Sequence, residues 1–444
     1  MRKDLYPPAR MTSITNYGRT WSFRPSSVVY PESSEEVAAL VANANKVRVM
    51  GSRHSWSKGI VTGGTLLSLD RMNRLVRVDN EKLQVTVQAG ITLRALNARL
   101  EEHGLALANL GSIDAQSLAG AISTGTHGTG RGFQCLAAQV ESLELIDGEG
   151  KRRRLGKGDP DFDAVVVGLG CFGVVHEITL AVVPCFQMHA ITDTAPFDEV
   201  IENLDEYVSR YDHFKFWWFV PSDDVVVYKH RRTDAPRSDS DLTRWFKDDF
   251  LSVIVYRSLV ALQGLDRKAL VPAMNRILTR VTGRHFDRIC KSYVGFMTPA
   301  PPVHRETEWA FDYANARDLL KKYRELLLKS GHTYNFIQEI RVTKADDFWL
   351  SPGFGRDSLW LSMYNMDSPA RWSDQLAQFD AFAMAHGGRP HWGKEASFDP
   401  GYLKTVWPKL GQFRELTKGY DPNGKFVNAW VEEIFRDCGA APDA

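Results

Sequence analysis

Val47-Arg48-Val49-Met50-Gly51-Ser52-Arg53-His54-Ser55-Trp56-Ser57 is the stretch on which the reading of this chain turns. Val47 and Val49 alternate with their neighbours as in a short buried strand. The run breaks at Gly51 into small and polar residues. Glycine and serine let a backbone turn tightly and aim its N–H groups at an anion, which is how a phosphate is cradled. One imidazole, His54, stands in the middle of that cradle.

Working outward, Ser33 and Ser34 offer a cap to a helix with Glu36 just inside it, and Thr92 caps a second helix with Leu93, Leu96 and Leu100 on one face. Short strands are expected at 28–30, 66–69, 75–78, 83–87 and 140–146. Residues 109–132 form a second loop of small residues, rich in glycine and hydroxyls, suited to close approach by something flat or anionic. Its Leu118, Ala119, Ala121 and Ile122 set it apart from a solvated linker. A third, Gly168-Leu169-Gly170-Cys171-Phe172-Gly173, matches GxGxxG after an expected strand at 165–167. The dinucleotide fingerprint needs a helix to follow, but Val174 to Leu180 is β-branched and alternating. A Rossmann unit is therefore rejected, and these glycines are read as packing against the same ligand as the first loop.

Composition bounds the rest. The 444 residues allow two domains; 43% are hydrophobic and 25% charged, as in an ordinary globular protein. A net charge of +1 favours neither nucleic acid nor an anionic membrane. Five cysteines, an odd number with no CxxC pair, read as thiols in a reducing, cytoplasmic compartment without a structural metal. No run reaches the ~20 apolar residues of a membrane span. Residues 250–265 come nearest and are read as an amphipathic helix within a helical stretch over 241–286.

Beyond residue 186 the texture changes. Phe214 to Val220 is an aromatic strand, 225–228 and 308–313 are further strands, and 317–329 is an amphipathic helix. In Phe336 to Thr343, period-2 alternation puts Glu339, Arg341 and Thr343 on one face of a strand and Ile340 and Val342 on the other. Gly387 to Lys394 gathers turn residues, an aromatic and three groups able to carry positive charge, which suits an anionic ligand.

Together, Gly-Ser-Arg-His-Ser, Ser-Thr-Gly-Thr-His-Gly-Thr-Gly, Leu-Gly-Cys-Phe-Gly-Val-Val, Arg-Pro-His-Trp-Gly-Lys and Asp-Pro-Asn-Gly-Lys-Phe-Val-Asn, in this order, resemble one family. It is the aldonolactone oxidases of the vanillyl-alcohol-oxidase flavoproteins, with alditol oxidases as close kin. The resemblance implies an α+β, two-domain FAD-binding fold of the PCMH/VAO type. The FAD-binding domain takes residues 1–186, an α+β substrate cap 187–408, and a C-terminal segment, 409–444, returns to the first domain.

The resemblance also implies FAD, joined covalently through His54, and cofactor contacts from Gly51, Ser52, Arg53 and Ser55 in the first loop. Ser117, Gly120, Ser123, Gly125, Thr126, His127 and Gly128 would add to them from the second, Gly173 and Val175 from the third, and His391 and Lys394 from the last motif. Ser112, Glu339, Arg341 and Lys394 are the implied catalytic residues, oxidising a sugar lactone or, in the alternative, a polyol such as an alditol. Gly111 leaves room for O2 beside the flavin, so O2 is the implied acceptor. Two departures bear on substrate: Glu395-Ala396-Ser397 follows Lys394 where several lactone oxidases carry a histidine, and Ser112 is similar to the alditol oxidases.

Overall fold

The computed structural model describes residues 13–238, 270–298, 303–366 and 369–436. Three short parallel strands, β1 (Ser27–Val29), β2 (Val47–Met50) and β3 (Thr65–Ser68), pair in the order β1-β3-β2. Helix α1 (Ser34–Asn43) links the first two; Ser33 Oγ accepts from the Glu36 N–H at 3.2 Å, and Glu36 reaches back to the Glu32 N–H. Five antiparallel strands follow: β4 (Leu75–Asp79), β5 (Gln84–Gln88), β6 (Val140–Ile146), β7 (Arg152–Gly156) and β8 (Val174–Ala181), in the order β7-β6-β8-β5-β4. Helix α2 (Leu93–Glu102) is capped by Thr92 Oγ1 and buries Leu93, Leu96 and Leu100.

Two local expectations are corrected. Residues 165–167 do not form a strand: Phe162–Val165 is a short helix, α4, and the turn after it buries Val166 and Val167. The alternating strand expected after the glycines is present as β8, so a strand and not a helix follows the third loop. The second loop contains a helix, α3 (Leu118–Ser123), whose Leu118, Ala121 and Ile122 enter the core. Its apolar residues are the start of a helix face that a six-residue element is too short to advertise.

From residue 187 onward the described strands form one antiparallel eight-stranded sheet. They are β9 (Gln187–Pro196), β10 (His213–Trp218), β11 (Asp224–Thr233), β12 (Phe286–Lys291), β13 (Arg305–Asp312), β14 (Gln338–Thr343), β15 (Ser358–Asn365) and β16 (Arg389–Pro390). Their order is β12-β9-β11-β10-β14-β15-β13-β16. Phe214, Phe216, Trp218, Ile340, Val342, Leu359, Leu361 and Met363 point to one side, where helices including α6 (Ala316–Lys329) cover them; α5 (Leu270–Thr282) lies earlier in the chain. The alternate residues point the other way and are polar, yet they too are buried: Lys215, Glu339, Arg341, Ser362, Glu306 and Glu308 are each less than 9% exposed. The aromatic strand thus supplies core with Phe214, Phe216 and Trp218, and site lining with Lys215 and Trp217.

The stretch expected to be helical at 250–265 lies outside the described residues; of 241–286, Leu270–Thr282 is helical and Phe286 begins a strand. No helix among the described residues is long and apolar enough to cross a membrane. The C-terminal helices α8 (Leu410–Tyr420) and α9 (Ala429–Phe435), which follow α7 (Pro369–Ala385), return to the first core through Phe413, Phe426, Val431 and Ile434.

One buried cation holds that return. Arg48, in the middle of β2, donates to the carbonyls of Gly59, Leu169, Gly170 and Phe426. It ties the first loop, the third loop and the C-terminal segment to one guanidinium. Replacing Arg48 by Met would leave the Gly170 and Phe426 carbonyls without a donor among the described residues, each worth about 1–3 kcal/mol when buried unpaired; the Gly59 carbonyl keeps Asn428. We expect Arg48→Met to lower unfolding stability by about 3 kcal/mol, read as a reduced denaturant midpoint.

Candidate active site

The three small-residue loops converge on one cleft. It is lined by Gly51, Ser52, Arg53, His54 and Ser55 from the first, Gln116, Ser117, Gly120, Ser123 and Thr124 from the second, and Gly168, Leu169, Gly170, Phe172, Gly173 and Val175 from the third. Arg53 and Leu169 adopt left-handed backbone conformations, with φ of 61° and 53°. Non-glycine residues hold such a conformation only where surrounding structure enforces it, and often at ligand sites. An added Cβ at Gly51 would overlap Ser117 Oγ, so this glycine serves the packing of loop on loop.

These residues fit a flavin dinucleotide. The cleft is lined by glycines, by the hydroxyl-bearing Ser52, Ser55, Ser57, Ser117, Ser123 and Thr124, and by Trp21 and Trp430. At one point along it His54 stacks on Tyr17, with ring centroids 4.8 Å apart, and its Nδ1 is buried with no hydrogen-bond partner among the described residues. Burial, then the charges of Lys394 and Arg53, push the His54 pKa down. Gly125, Thr126, His127, Gly128, His391 and Lys394 do not line this cleft. His127, His391 and Lys394 lie on the polar face of the large sheet, where His127 stacks on Trp360 with centroids 3.6 Å apart.

That face carries the second half of the site. Glu339 on β14 accepts from Arg341 at 2.7 Å, and from Tyr364, Trp217 and Lys215 at 2.9 Å each. Arg341 also donates to Ser112 Oγ at 2.8 Å, and Lys215 reaches the same oxygen at 3.3 Å. Burial pushes the Glu339 carboxyl up, but the Arg341 and Lys215 charges outweigh it and hold it far below the carboxylate range. Lys215 is pushed down by burial against the pull of Glu339, and the nearby Arg341 adds to the push. Ser112, Glu339 and Arg341 are thus in direct contact. Lys394 is not: its Nζ pairs with Glu306 on β13 and lies 4.7 Å from the Trp56 ring centre.

Glu306 and Glu308 share a face of β13. His304 Nε2 lies 3.6 Å from Glu306, and Ser362 donates to Glu308 at 2.7 Å. Among the described residues His127, Glu308 and His391 bring potential metal-ligand atoms within 4.8 Å of one another. His391 Nδ1 accepts from the Gly393 N–H at 2.9 Å, so its proton sits on Nε2. His127 Nδ1 is 2.9 Å from the Gly128 carbonyl and carries a proton likewise. With its Nδ1 lone pair on the Gly393 N–H and its proton on Nε2, His391 has no lone pair to offer an ion, while His127 Nε2 lies 3.3 Å from a Glu308 oxygen.

The second loop joins the two halves. Gly130 N–H donates to the Val342 carbonyl at 2.7 Å, Thr129 Oγ1 donates to the Phe214 carbonyl, and His213 Nδ1 donates to the Thr129 carbonyl at 2.9 Å. This anchorage delivers Ser112 and His127 onto the sheet. Lys215, Tyr364, Glu306 and Glu308 are the members that sequence reasoning missed. The signal for Lys215 was a single cation inside an aromatic strand; for the carboxylates it was the i, i+2 spacing in Glu306-Thr307-Glu308.

Comparison with known proteins follows the same division. An FAD binding domain model matches residues 25–156, and the D-arabinono-1,4-lactone oxidase model matches 178–434. The chain is 31% identical to L-gulonolactone oxidase of Bos taurus, covering 95% of this chain and 97% of that one. It is 30% identical to an L-gulono-1,4-lactone dehydrogenase of Mycobacterium tuberculosis, over 92% of this chain and 96% of that one. To an alditol oxidase of a Streptomyces species it is 29% identical, over 95% and 99%. Among solved structures, cholesterol oxidase from B. sterolicum superposes with a TM-score of 0.80 at 15% identity, covering 95% of this chain and 96% of that one, which shows the fold. With both models matching end to end along a chain whose two halves meet at one site, this protein belongs to the D-arabinono-1,4-lactone oxidase family of FAD-linked oxidoreductases.

Proposed function

We propose that this chain oxidises a CH–OH carbon of an aldono-1,4-lactone of the L-gulono, L-galactono or D-arabinono type and passes the electrons to O2, giving H2O2. The observation that carries the reading is the contact set of Ser112, Glu339 and Arg341, at the junction of the two matched regions. FAD is the cofactor, and when bound it supplies the acceptor for the hydride that leaves the alcohol carbon. We assign the FAD-binding unit to 1–186 with 409–444, the cap to 187–408, and the protein to the cytoplasm. Four free cysteines among the described residues support the last assignment.

Each residue then has a task. Arg341, held against Glu339, presents its guanidinium to the substrate oxygen and lowers the cost of negative charge developing there. Glu339 fixes that guanidinium and, saturated with donors, stays a carboxylate throughout. Lys394 supplies a second positive charge from the opposite edge of the site, once it exchanges part of its contact with Glu306. The buried, unpartnered His54 Nδ1 supports a covalent tether to the flavin. For O2, the support is Gly111: a methyl there would meet the His127 carbonyl at 3.3 Å and Thr126 Cγ2 at 3.4 Å, so glycine keeps that slot open beside Ser112. The 29% identity to alditol oxidase favours a second reading, a primary alcohol of a polyol as substrate.

Three outcomes test these assignments. Under nitrogen, L-gulono-, L-galactono- or D-arabinono-1,4-lactone should bleach the flavin faster than xylitol or sorbitol, and in air the same substrate should yield peroxide; bleaching by the alditols alone would favour the second reading. After acid precipitation the yellow colour should stay with the wild-type protein and pass the filter from His54→Gln. Lys394→Ala should slow flavin reduction about 100-fold while FAD remains bound, as loss of one preorganised charge does; an unchanged rate would remove Lys394 from the mechanism.

A further inference from the structure

Lys215 is a buried charge that the set Ser112, Glu339, Arg341 and Lys394 does not use. It sits on β10 directly across from Arg341 on β14, and Trp217 sits across from Glu339. Two cations in register on neighbouring strands repel, and a carboxylate on the diagonal must relieve them. Glu339 is that carboxylate, but Arg341 already matches its charge at 2.7 Å. With Lys215 as an ammonium, two buried cations share Glu339 as the one carboxylate that both touch, which is costly.

The hydrogen-bond count points the same way. A hydroxyl has two lone pairs and one proton. If Lys215 donates to Ser112 Oγ, both lone pairs of Ser112 are taken, by Lys215 at 3.3 Å and Arg341 at 2.8 Å. The Ser112 proton then has no acceptor among the described residues. If Lys215 is an amine, the contact reverses: Ser112 donates to Nζ, Lys215 keeps an N–H on Glu339, and one lone pair of Ser112 opens toward the half-buried side of its loop. That lone pair can accept one further hydroxyl proton.

We propose that Lys215, acting through Ser112, takes up the proton that the substrate hydroxyl releases. This rests on the reading of the site as one that oxidises a CH–OH group. The alcohol O–H bond breaks as its proton passes to Ser112 Oγ, and the Ser112 proton passes to Nζ. The C–O bond becomes C=O as the C–H bond breaks, and its hydride goes to the bound FAD. The alcohol is oxidised by two electrons, the FAD is reduced by two, and the released proton rests on Lys215 beside Glu339. Ser112 is the group in contact with substrate; Lys215 acts through it.

The other candidates are committed. Glu339 receives four donors and is held far below the carboxylate range. Arg341 cannot deprotonate. Lys394 is paired with Glu306. Tyr364 donates to Glu339, and burial with the Glu306 and Glu339 charges pushes its pKa well up. Facing Lys215 from β11 are Tyr228, with its ring centre 5.1 Å from Nζ, and His230, whose pKa burial pushes well down; from its own strand comes Trp217 at 5.2 Å. Burial pushes Tyr228 well above its ordinary value, so it stays protonated. Among these neighbours Glu339 alone is anionic.

The test has two arms on the FAD-loaded protein. In the first, lysine labelled at 13Cε is titrated by NMR, with the Lys215 signal assigned by its loss in Lys215→Arg. Lys215 should lose its proton at least one pH unit below the ~10.4 of free lysine; an ammonium that persists to that pH overturns the proposal. In the second, anaerobic flavin reduction is followed against pH, with visible absorbance confirming that each variant holds FAD. The wild-type rate should rise with pH as Lys215 becomes neutral. Lys215→Met and Ser112→Ala should each be about 100-fold slower, as expected for loss of proton transfer, and the pH-dependent rise should vanish. Lys215→Arg, a permanent cation, should be as slow as Lys215→Met. A wild-type rate in Lys215→Arg, or a rise that survives in Lys215→Met, overturns the proposal. If no lactone or polyol reduces the wild type, the reading of function fails instead, and the NMR arm still decides whether Lys215 can accept a proton.

Discussion

A carboxylate with 2% exposure must be surrounded by donors or it will not stay charged, and Glu339 sets this condition for the whole cap. Its two oxygens receive Arg341, Tyr364, Trp217 and Lys215 from its own strand and both neighbouring strands, β10 and β15. Satisfying it fixes the register of three strands at once. A slip of one residue on β14 would turn Glu339 and Arg341 into the apolar core and expose Ile340 and Val342 to the charges. The same alternation buries helices on one face of the sheet and chemistry on the other.

The first domain solves the converse problem. Arg48 is a buried cation that meets no carboxylate directly; it takes four carbonyls from segments far apart in sequence. Burial pushes its pKa down, yet a guanidinium stays charged at any pH the fold survives. Lys46 and Asn428 extend this network, with Lys46 on the Gly424 carbonyl and Asn428 on those of Lys58, Gly59 and Val61. The C-terminal segment is thereby held against the cleft, and its Trp430 enters the lining.

What could be read from sequence follows from locality. Capping serines, the alternation in β8 and β14 and the three loops are local signals, and they place His54, Glu339 and Arg341 without any knowledge of topology. Contacts set by strand order were out of reach. Lys215 lies 124 positions before Glu339, and only the pairing of β10 with β14 makes them neighbours. Glu306 and Glu308 were not singled out, because a strand cannot reveal that its polar face will be covered. The glycine-rich loops were legible as sites of close approach. At Gly51, however, the close neighbour is Ser117 of another loop, a distinction that one-dimensional spacing cannot make.

The charge on the sheet's inner face also constrains what may enter. Glu306, Glu308 and Glu339 each depend on donors for their burial. A substrate that displaces one of those donors must replace it, since a buried carboxylate left short of a partner costs several kcal/mol. A polyhydroxylated ligand can exchange hydrogen bonds one for one with Lys394, Arg341 and Ser112. An apolar alcohol cannot, and a site built on buried polar groups rejects such analogues by about 10⁴-fold or more. The fold shared with a cholesterol oxidase therefore says nothing against a sugar-like substrate, because the selecting element is the lining of the sheet and not the sheet itself.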